Sequence, residues 1–122
     1  MEYNLNMKYI IYCRKSSESE ERQVQSLDSQ EKELLDMAKK YGLEVIGVYK
    51  ESKSAKAVGR EVFNEVVKQI TTKKADAILC WKLDRLARNF IDGGQIIDLL
   101  QRSAIKEIRT FEGTHYPSDN VL

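Results

Sequence analysis

The sequence predicts a single α/β domain with a mainly parallel sheet of four or five strands and helices on both faces. Short apolar runs rich in β-branched and aromatic residues alternate with amphipathic stretches of helical period. The 122 residues are 42% hydrophobic and 32% charged, the balance of a globular domain with a hydrophobic core. One proline and six glycines leave little room for a long flexible linker.

Two strands joined by a helix are predicted in the first half of the chain. Residues 7–14 form an apolar run that indicates a buried strand, and residues 43–49 are a second β-branched run. Between them, Ser26 can cap a helix that carries Asp28 in its first turn and ends at Gly42. Polar loops are expected over residues 15–25 and 51–59. The apolar positions at helical spacing are Leu27, Leu34, Leu35, Ala38 and Tyr41.

The second half is expected to continue the alternation. A helix is predicted over residues 60–72, followed by a central strand over 75–81 that is hydrophobic throughout. Gly93 and Gly94 are expected to loosen the chain before a helix over 95–102, and residues 105–111 are a weaker strand candidate. Residues 112–122 show neither a strand nor a helix pattern. Tyr12 and Trp81 are expected in the core.

Cationic clusters follow two of the predicted strands. Arg14, Lys15 and two serines come after the first strand, and Asp84, Arg85 and Arg88 come after the third. Open α/β sheets bind ligands at the carboxyl ends of their strands. Guanidinium groups that converge on a hydroxyl suit a phosphodiester, because they bind phosphate by paired hydrogen bonds and neutralise charge that develops on it. Alternatively, Arg85 and Arg88 lie on the solvated face of a helix.

Charge and cysteine content restrict the partners and the location. The net charge is +1, whereas a protein that holds DNA by its backbone alone usually has a strong basic excess. DNA affinity must therefore be local or supplied by another part of the protein. Cys13 and Cys80 lie in apolar runs without a CxxC pattern, which predicts buried reduced thiols and no zinc site. We expect a cytoplasmic protein without a membrane segment.

Four motifs in order resemble the catalytic domain of serine recombinases, the group of resolvases, invertases and large integrases. The motifs are residues 12–17, residues 26–30, Ser54 with residues 59–63, and residues 82–89. The resemblance extends from Tyr9 to about Asn120, and residues 106–120 are most similar to the large recombinases of phages and mobile elements. It implies a resolvase-like layered α/β fold.

The resemblance also implies a site and a reaction. Ser16 takes the position of the nucleophile, with Ser17 as the alternative, and Gln30 and Ser54 match polar positions of the same pocket. The active-site arginines fall on Arg14, Arg60, Arg85 and Arg88, beside Asp84. Ser16 would attack a DNA phosphodiester and form a 5′-phosphoserine bond, and rejoining would need neither ATP nor a cofactor. Asp84 could transfer a proton or orient Arg85 or Arg88.

The residues themselves give little support to other catalytic classes. The single histidine, His115, lies in the tail, which argues against a Ser-His-Asp triad. Asp76 and Asp84 bracket the third predicted strand, so they could not share a metal ion. Electrostatic catalysis by guanidinium groups remains.

The partners implied by the resemblance are double-stranded DNA recombination sites, a second copy in a homodimer, and a tetramer in the synaptic complex. A directionality factor is a further candidate. In this family a long interface helix and DNA-binding domains follow the catalytic domain. We therefore expect residues 1–122 to be the N-terminal catalytic fragment of a longer recombinase, which binds DNA mainly through the missing domains.

Three other interpretations are compatible with parts of the sequence. A receiver-like or flavodoxin-like module for signalling or assembly would explain the fold but not the arginines. A metal-dependent nuclease of similar layering would be inhibited by a chelator. A third interpretation keeps the family but assigns the fragment to dimerisation, catalytically silent without the DNA-binding domains.

Overall fold

The computed structural model describes residues 7–15, 26–52, 61–86 and 90–117, with the backbone alone for residues 84, 85 and 90–92. Strands and helices alternate along most of the chain, as the sequence predicts, but two helices and then two strands follow one another near its end. They are β1 (Lys8–Lys15), α1 (Leu27–Tyr41), β2 (Glu44–Ser52), α2 (Glu61–Thr71), β3 (Ala77–Leu79), α3 (Leu83–Leu86), α4 (Phe90–Gln101), β4 (Glu107–Thr110) and β5 (Gly113–His115).

The strands form one five-stranded sheet in the order β2-β1-β3-β4-β5. The first four are parallel, and β5 pairs antiparallel with β4. The predicted fold class is therefore confirmed. Since the first four strands run in the same direction, their carboxyl ends lie along one edge of the sheet.

Alternation along β1 divides the core into two layers. Ile10 and Tyr12 belong to the cluster that includes Phe63 of α2 and Leu99 of α4. The intervening residues of β1 pack instead with α1, in the cluster of Met7, Tyr9, Ile11, Cys13, Leu34, Met37, Ala38, Ala77 and Leu79. This strand is buried on both faces, which explains its continuous apolar run.

The ends of α1 follow the predicted capping chemistry. The Ser26 side chain accepts a hydrogen bond from the Ser29 amide (3.1 Å) at the N-terminus. At the C-terminus, Gly42 adopts a left-handed conformation with φ of 68°, and the next amide, that of Leu43, donates to the Ala38 carbonyl (2.8 Å). Of the apolar positions at helical spacing, Leu34 and Ala38 are buried, whereas Leu35 and Tyr41 are 39% and 54% exposed.

The third helical region differs from the prediction. α4 begins at Phe90 and runs through Gly93 and Gly94 instead of starting after them. Each glycine in a helix costs about 1 kcal/mol relative to alanine. Packing of Leu99 and Leu100, which are each 2% exposed, offsets that cost.

The tail also differs, because it contains the strand β5 where the sequence showed none. Arg109 of β4 lies opposite Thr114 of β5. The Thr110 hydroxyl stabilises the connecting turn, since it accepts from the Glu112 amide (3.0 Å) and donates to the Gly113 carbonyl (3.1 Å). Of the helices in the described ranges, none is long and apolar enough to cross a membrane.

Candidate active site

The candidate site lies at the carboxyl-end edge of the sheet, where β1 and β2 end side by side. Arg14 is paired in register with Glu51, and Lys15 with Ser52. Arg14 is 6% exposed and Glu51 is 3% exposed, so two opposite charges are buried at the same level of the sheet. The predicted nucleophile Ser16 directly follows Lys15 but lies outside the described residues.

Glu51 connects this edge to the start of α2. Its Oε1 accepts a hydrogen bond from the Tyr12 hydroxyl (2.5 Å) and from the Phe63 amide (3.2 Å). Its Oε2 accepts from the Val62 amide (3.2 Å). The carboxylate thus satisfies backbone donors at a helix N-terminus, where a negative charge is favoured by the helix dipole. The residue that precedes this helix is Arg60, which lies outside the described part.

Glu51 is a residue of the candidate site that the sequence analysis missed. It was placed at the start of a loop, whereas it belongs to β2, which extends to Ser52. The missed signal was a carboxylate directly after an apolar strand, at the edge where the cationic clusters had been sought. The remaining loop residues 53–59 are not described.

Gln30 fixes the end of β1 from the other face of the sheet. It is fully buried on α1, and its Nε2 donates to the Arg14 carbonyl (3.1 Å). A second link joins α1 to β2, because Lys50 Nζ lies 2.7 Å from Glu31 Oε1 and 3.5 Å from Asp28 Oδ1. The hydrogen bond to Glu31 raises the pKa of Lys50. The N-terminal half of α1 is therefore held against both strands that end at the site.

The α3 segment brings Asp84 and Arg85 to the same region. This short helix packs against β1. Leu86, which is fully buried in the core, anchors it. The backbone of both residues therefore lies close to the strand that carries Arg14. Arg88 and Ser54, like Ser16 and Arg60, lie outside the described residues.

Other reactive groups do not join this arrangement. Burial raises the pKa of the Cys13 thiol to about 12, so the thiol next to Arg14 is protonated at neutral pH. His115 lies on β5, separated from β1 by β3 and β4. Within the described ranges, no three His, Cys, Asp or Glu side chains cluster closely enough to hold a metal ion. A surface groove of about 700 Å³ between α1 and the β4–β5 turn includes none of the predicted site residues.

Comparison with known proteins identifies the family. A family model described as the resolvase N-terminal domain matches residues 9–120. No curated protein sequence matches the chain. The C-terminal catalytic domain of ISC1926 TnpA, an IS607-like serine recombinase, is 25% identical, with a TM-score of 0.68 over 85% of this chain and 69% of that chain.

Two further solved structures are similar. The N-terminal catalytic domain of TP901-1 integrase is 26% identical, with a TM-score of 0.70 over 86% of this chain and 77% of that chain. A resolvase-family site-specific recombinase from Streptococcus pneumoniae is 24% identical and shares the fold, with a TM-score of 0.71 over 95% of this chain and 79% of that chain. The chain belongs to the resolvase N-terminal domain family, the catalytic domain of the serine-type site-specific DNA recombinases.

Proposed function

We propose that this domain cleaves and rejoins DNA through a covalent bond between Ser16 and a phosphate. Family membership suggests a DNA substrate and an oligomeric assembly. The observation that most supports Ser16 is the position of Arg14, buried at the end of β1 and paired in register with Glu51, two residues before the serine. A cation fixed so close in sequence to a hydroxyl suits attack on a phosphodiester.

The reaction is a transesterification. Ser16 Oγ attacks the phosphorus, an Oγ–P bond forms, and the bond from phosphorus to the 3′ oxygen breaks. The serine loses its proton, and the departing 3′ oxygen takes one up to become a hydroxyl. The 5′ phosphate stays on the serine. Because this phosphoester conserves the energy of the broken bond, the reverse attack by a 3′ hydroxyl rejoins DNA without ATP or a cofactor.

The arginines supply electrostatic stabilisation in this proposal. Arg14, Arg60, Arg85 and Arg88 would hold the non-bridging oxygens and the charge that builds on them. Removal of one such donor typically costs about 3 kcal/mol of transition-state stabilisation, about a 100-fold loss of rate. Two roles remain open for Asp84, proton transfer and orientation of a neighbouring arginine.

Three polar residues would position these groups. Gln30 holds the carbonyl of Arg14 and so fixes the point where the chain leaves β1 towards Ser16. Glu51 holds the first amides of α2 and thereby the helix that starts directly after Arg60. Ser54 would line the same pocket, as its place in the motif implies.

The wider organisation is part of the proposal. Residues 1–122 would be the N-terminal catalytic domain of a longer recombinase, with an interface helix and DNA-binding domains that recognise the recombination sites. The protein would act as a homodimer that pairs into a tetramer at synapsis, with a directionality factor as a further partner. A cytoplasmic location stays a prediction.

A covalent-adduct assay on the full recombinase tests the nucleophile. Nicked suicide DNA is incubated with the wild type, Ser16→Ala and Ser17→Ala in the presence of a chelator. We expect an SDS-stable adduct on a 5′ end that disappears only with Ser16→Ala. Loss only with Ser17→Ala would move the nucleophile by one residue. Absence of an adduct at a site that the full recombinase binds and synapses would favour the non-enzymatic α/β module.

A further inference from the structure

An aromatic pair stands at the same edge of the sheet as the candidate site. The rings of Trp81 and Phe111 meet edge to face, with centroids 4.7 Å apart and an interplanar angle of 60°. Trp81 follows β3 and Phe111 follows β4. The Cys80 amide donates to the Arg109 carbonyl (3.1 Å), which extends the pairing of the two strands up to these rings.

The pair is open to solvent, and an exposed charged residue follows each ring in sequence, Lys82 after Trp81 and Glu112 after Phe111. Phe111 is 46% exposed, Trp81 is partly exposed, and Lys82 is exposed. Leu83, the first residue of α3, is 38% exposed. We call Trp81, Lys82, Leu83 and Phe111 the Trp81 surface. Trp81 was expected in the core, but the strand pairing ends before it and leaves the indole at the rim of the sheet.

The position of the surface relates it to the site. β3 is the neighbour of β1 in the sheet, and β4 is the next strand beyond. With strands about 4.8 Å apart, the chain at Phe111 lies about 10 Å from the line of β1. That distance corresponds to about three base-pair steps of 3.4 Å along DNA. A duplex that runs along this edge and whose phosphate reaches the end of β1 would therefore pass the Trp81 surface within about three nucleotides.

We propose that the Trp81 surface binds the DNA next to the scissile phosphate, and this proposal rests on the proposed function. The rings of Trp81 and Phe111 pack against sugar and base, and Lys82 contacts a neighbouring phosphate. Aromatic rings bind nucleotides by stacking without sequence preference. An exposed lysine adds phosphate attraction. The charges of Lys82 and Glu112 balance, and it is the position of the rings on the edge that carries the candidate site that favours DNA over a second copy of this chain as the occupant.

Trp81 provides a direct readout, because it is the single tryptophan of the 122 residues. The chain is titrated at low salt with a short fluorescein-labelled duplex, and DNA anisotropy and tryptophan emission are recorded together. We expect the emission to change in proportion to the DNA bound. Phe111→Ala should raise the dissociation constant at least about 5-fold, and Phe111→Leu, which keeps an apolar side chain, should show a similar loss.

Charge and position provide the controls. Lys82→Gln should reduce the slope of log affinity against log salt by about 1. Glu112→Gln, which removes an exposed carboxylate next to Phe111, should tighten binding, since the carboxylate repels phosphate. Tyr116→Ala should leave the affinity unchanged. Tyr116 is 42% exposed, close to the value for Phe111, but it follows the antiparallel β5 and lies at the opposite edge.

Several outcomes would overturn the proposal. One is a tryptophan emission that stays constant while anisotropy shows DNA binding. A second is a tryptophan emission that does not respond to DNA at any salt concentration. Another is an emission that changes with protein concentration in the absence of DNA, which would identify a second copy as the occupant. The adduct assay separates the two proposals. An adduct on Ser16 with unchanged Trp81 emission refutes the DNA surface alone, whereas a DNA-dependent emission without any adduct refutes the nucleophile alone.

Discussion

Substitution of Glu51 by glutamine tests whether this carboxylate holds the candidate site together. The change keeps the size of the side chain and removes its charge. One oxygen can still accept from the Tyr12 hydroxyl and the Phe63 amide, as Oε1 does. The new amide group then faces the Val62 amide, which now donates to Oε2. Two donors would meet at a position that is 3% exposed.

The expected loss follows from the contacts. A hydrogen bond to a charged group contributes about 1.5–3 kcal/mol, and loss of the charge at the helix N-terminus adds about 0.5–1 kcal/mol. We therefore expect Glu51→Gln to lower the free energy of unfolding by about 3 kcal/mol. Glu61→Gln is the matched control, because it removes the same charge from the exposed first residue of α2. Its cost should be below about 1 kcal/mol.

Two measurements test the capping and positioning roles of Glu51. Urea unfolding compares the stabilities, and adduct formation on nicked DNA compares the rates at a temperature where both variants are folded. If Glu51 positions Arg14 and Arg60, Glu51→Gln should lose about 100-fold in rate and Glu61→Gln should not, since small displacements of catalytic groups have effects of this size. Equal stabilities of the two variants would refute the capping argument. A destabilised Glu51→Gln with the wild-type rate would refute the positioning role.

Three further predictions concern the core. The thiols of Cys13 and Cys80 are both buried, and burial raises the pKa of Cys13 to about 12. Iodoacetamide at pH 8 should therefore label neither thiol until urea unfolds the protein, and rapid labelling of the native protein would contradict this. Burial raises the pKa of Tyr9 from 10.0 to about 12. The unfolded chain therefore loses this proton at a lower pH than the folded one, so stability is full below pH 10, and about 3 kcal/mol of the free energy of unfolding should be lost between pH 10 and 12. Urea unfolding across this pH range should show a shallower decline of the free energy of unfolding for Tyr9→Phe than for the wild type. Parallel declines of the two proteins would contradict the assignment to Tyr9. Glu107 is fully buried, and its Oε2 lies 2.7 Å from Arg109 Nη2, so Arg109→Met should cost about 3 kcal/mol or more. Adding Glu107→Gln should recover much of that loss, and a double variant as unstable as the single one would argue against an uncompensated charge as the cause.

The sequence was sufficient to predict the elements whose signals are local. The cap at Ser26 and the left-handed Gly42 set the ends of α1, and both depend on the residues at those positions alone. The apolar run of β1 likewise indicates a strand buried on both faces. In contrast, β5 is defined by pairing with β4, and three residues carry too little periodic signal to predict such a strand.

For the site, the sequence identified the edge but not the way in which it is held. Arg14 and Gln30 were predicted from motifs, and both are buried where β1 ends. Glu51 was missed because its role depends on two distant partners, the Tyr12 hydroxyl and the first amides of α2, which local patterns do not reveal. The predicted helix start after Gly93 and Gly94 was wrong for a related reason, since tertiary packing keeps both glycines within α4 despite their low helix propensity.

The groups that hold the site bind largely to backbone atoms. Gln30 donates to the carbonyl of Arg14, and Glu51 accepts from the amides of Val62 and Phe63. Such contacts fix the paths of β1 and α2 through their backbone atoms. Under the proposed function, Gln30 and Glu51 act on geometry, whereas Arg14, which is 6% exposed and lies beside the buried Glu51, acts both on the charge offered to phosphate and on the stability of this edge.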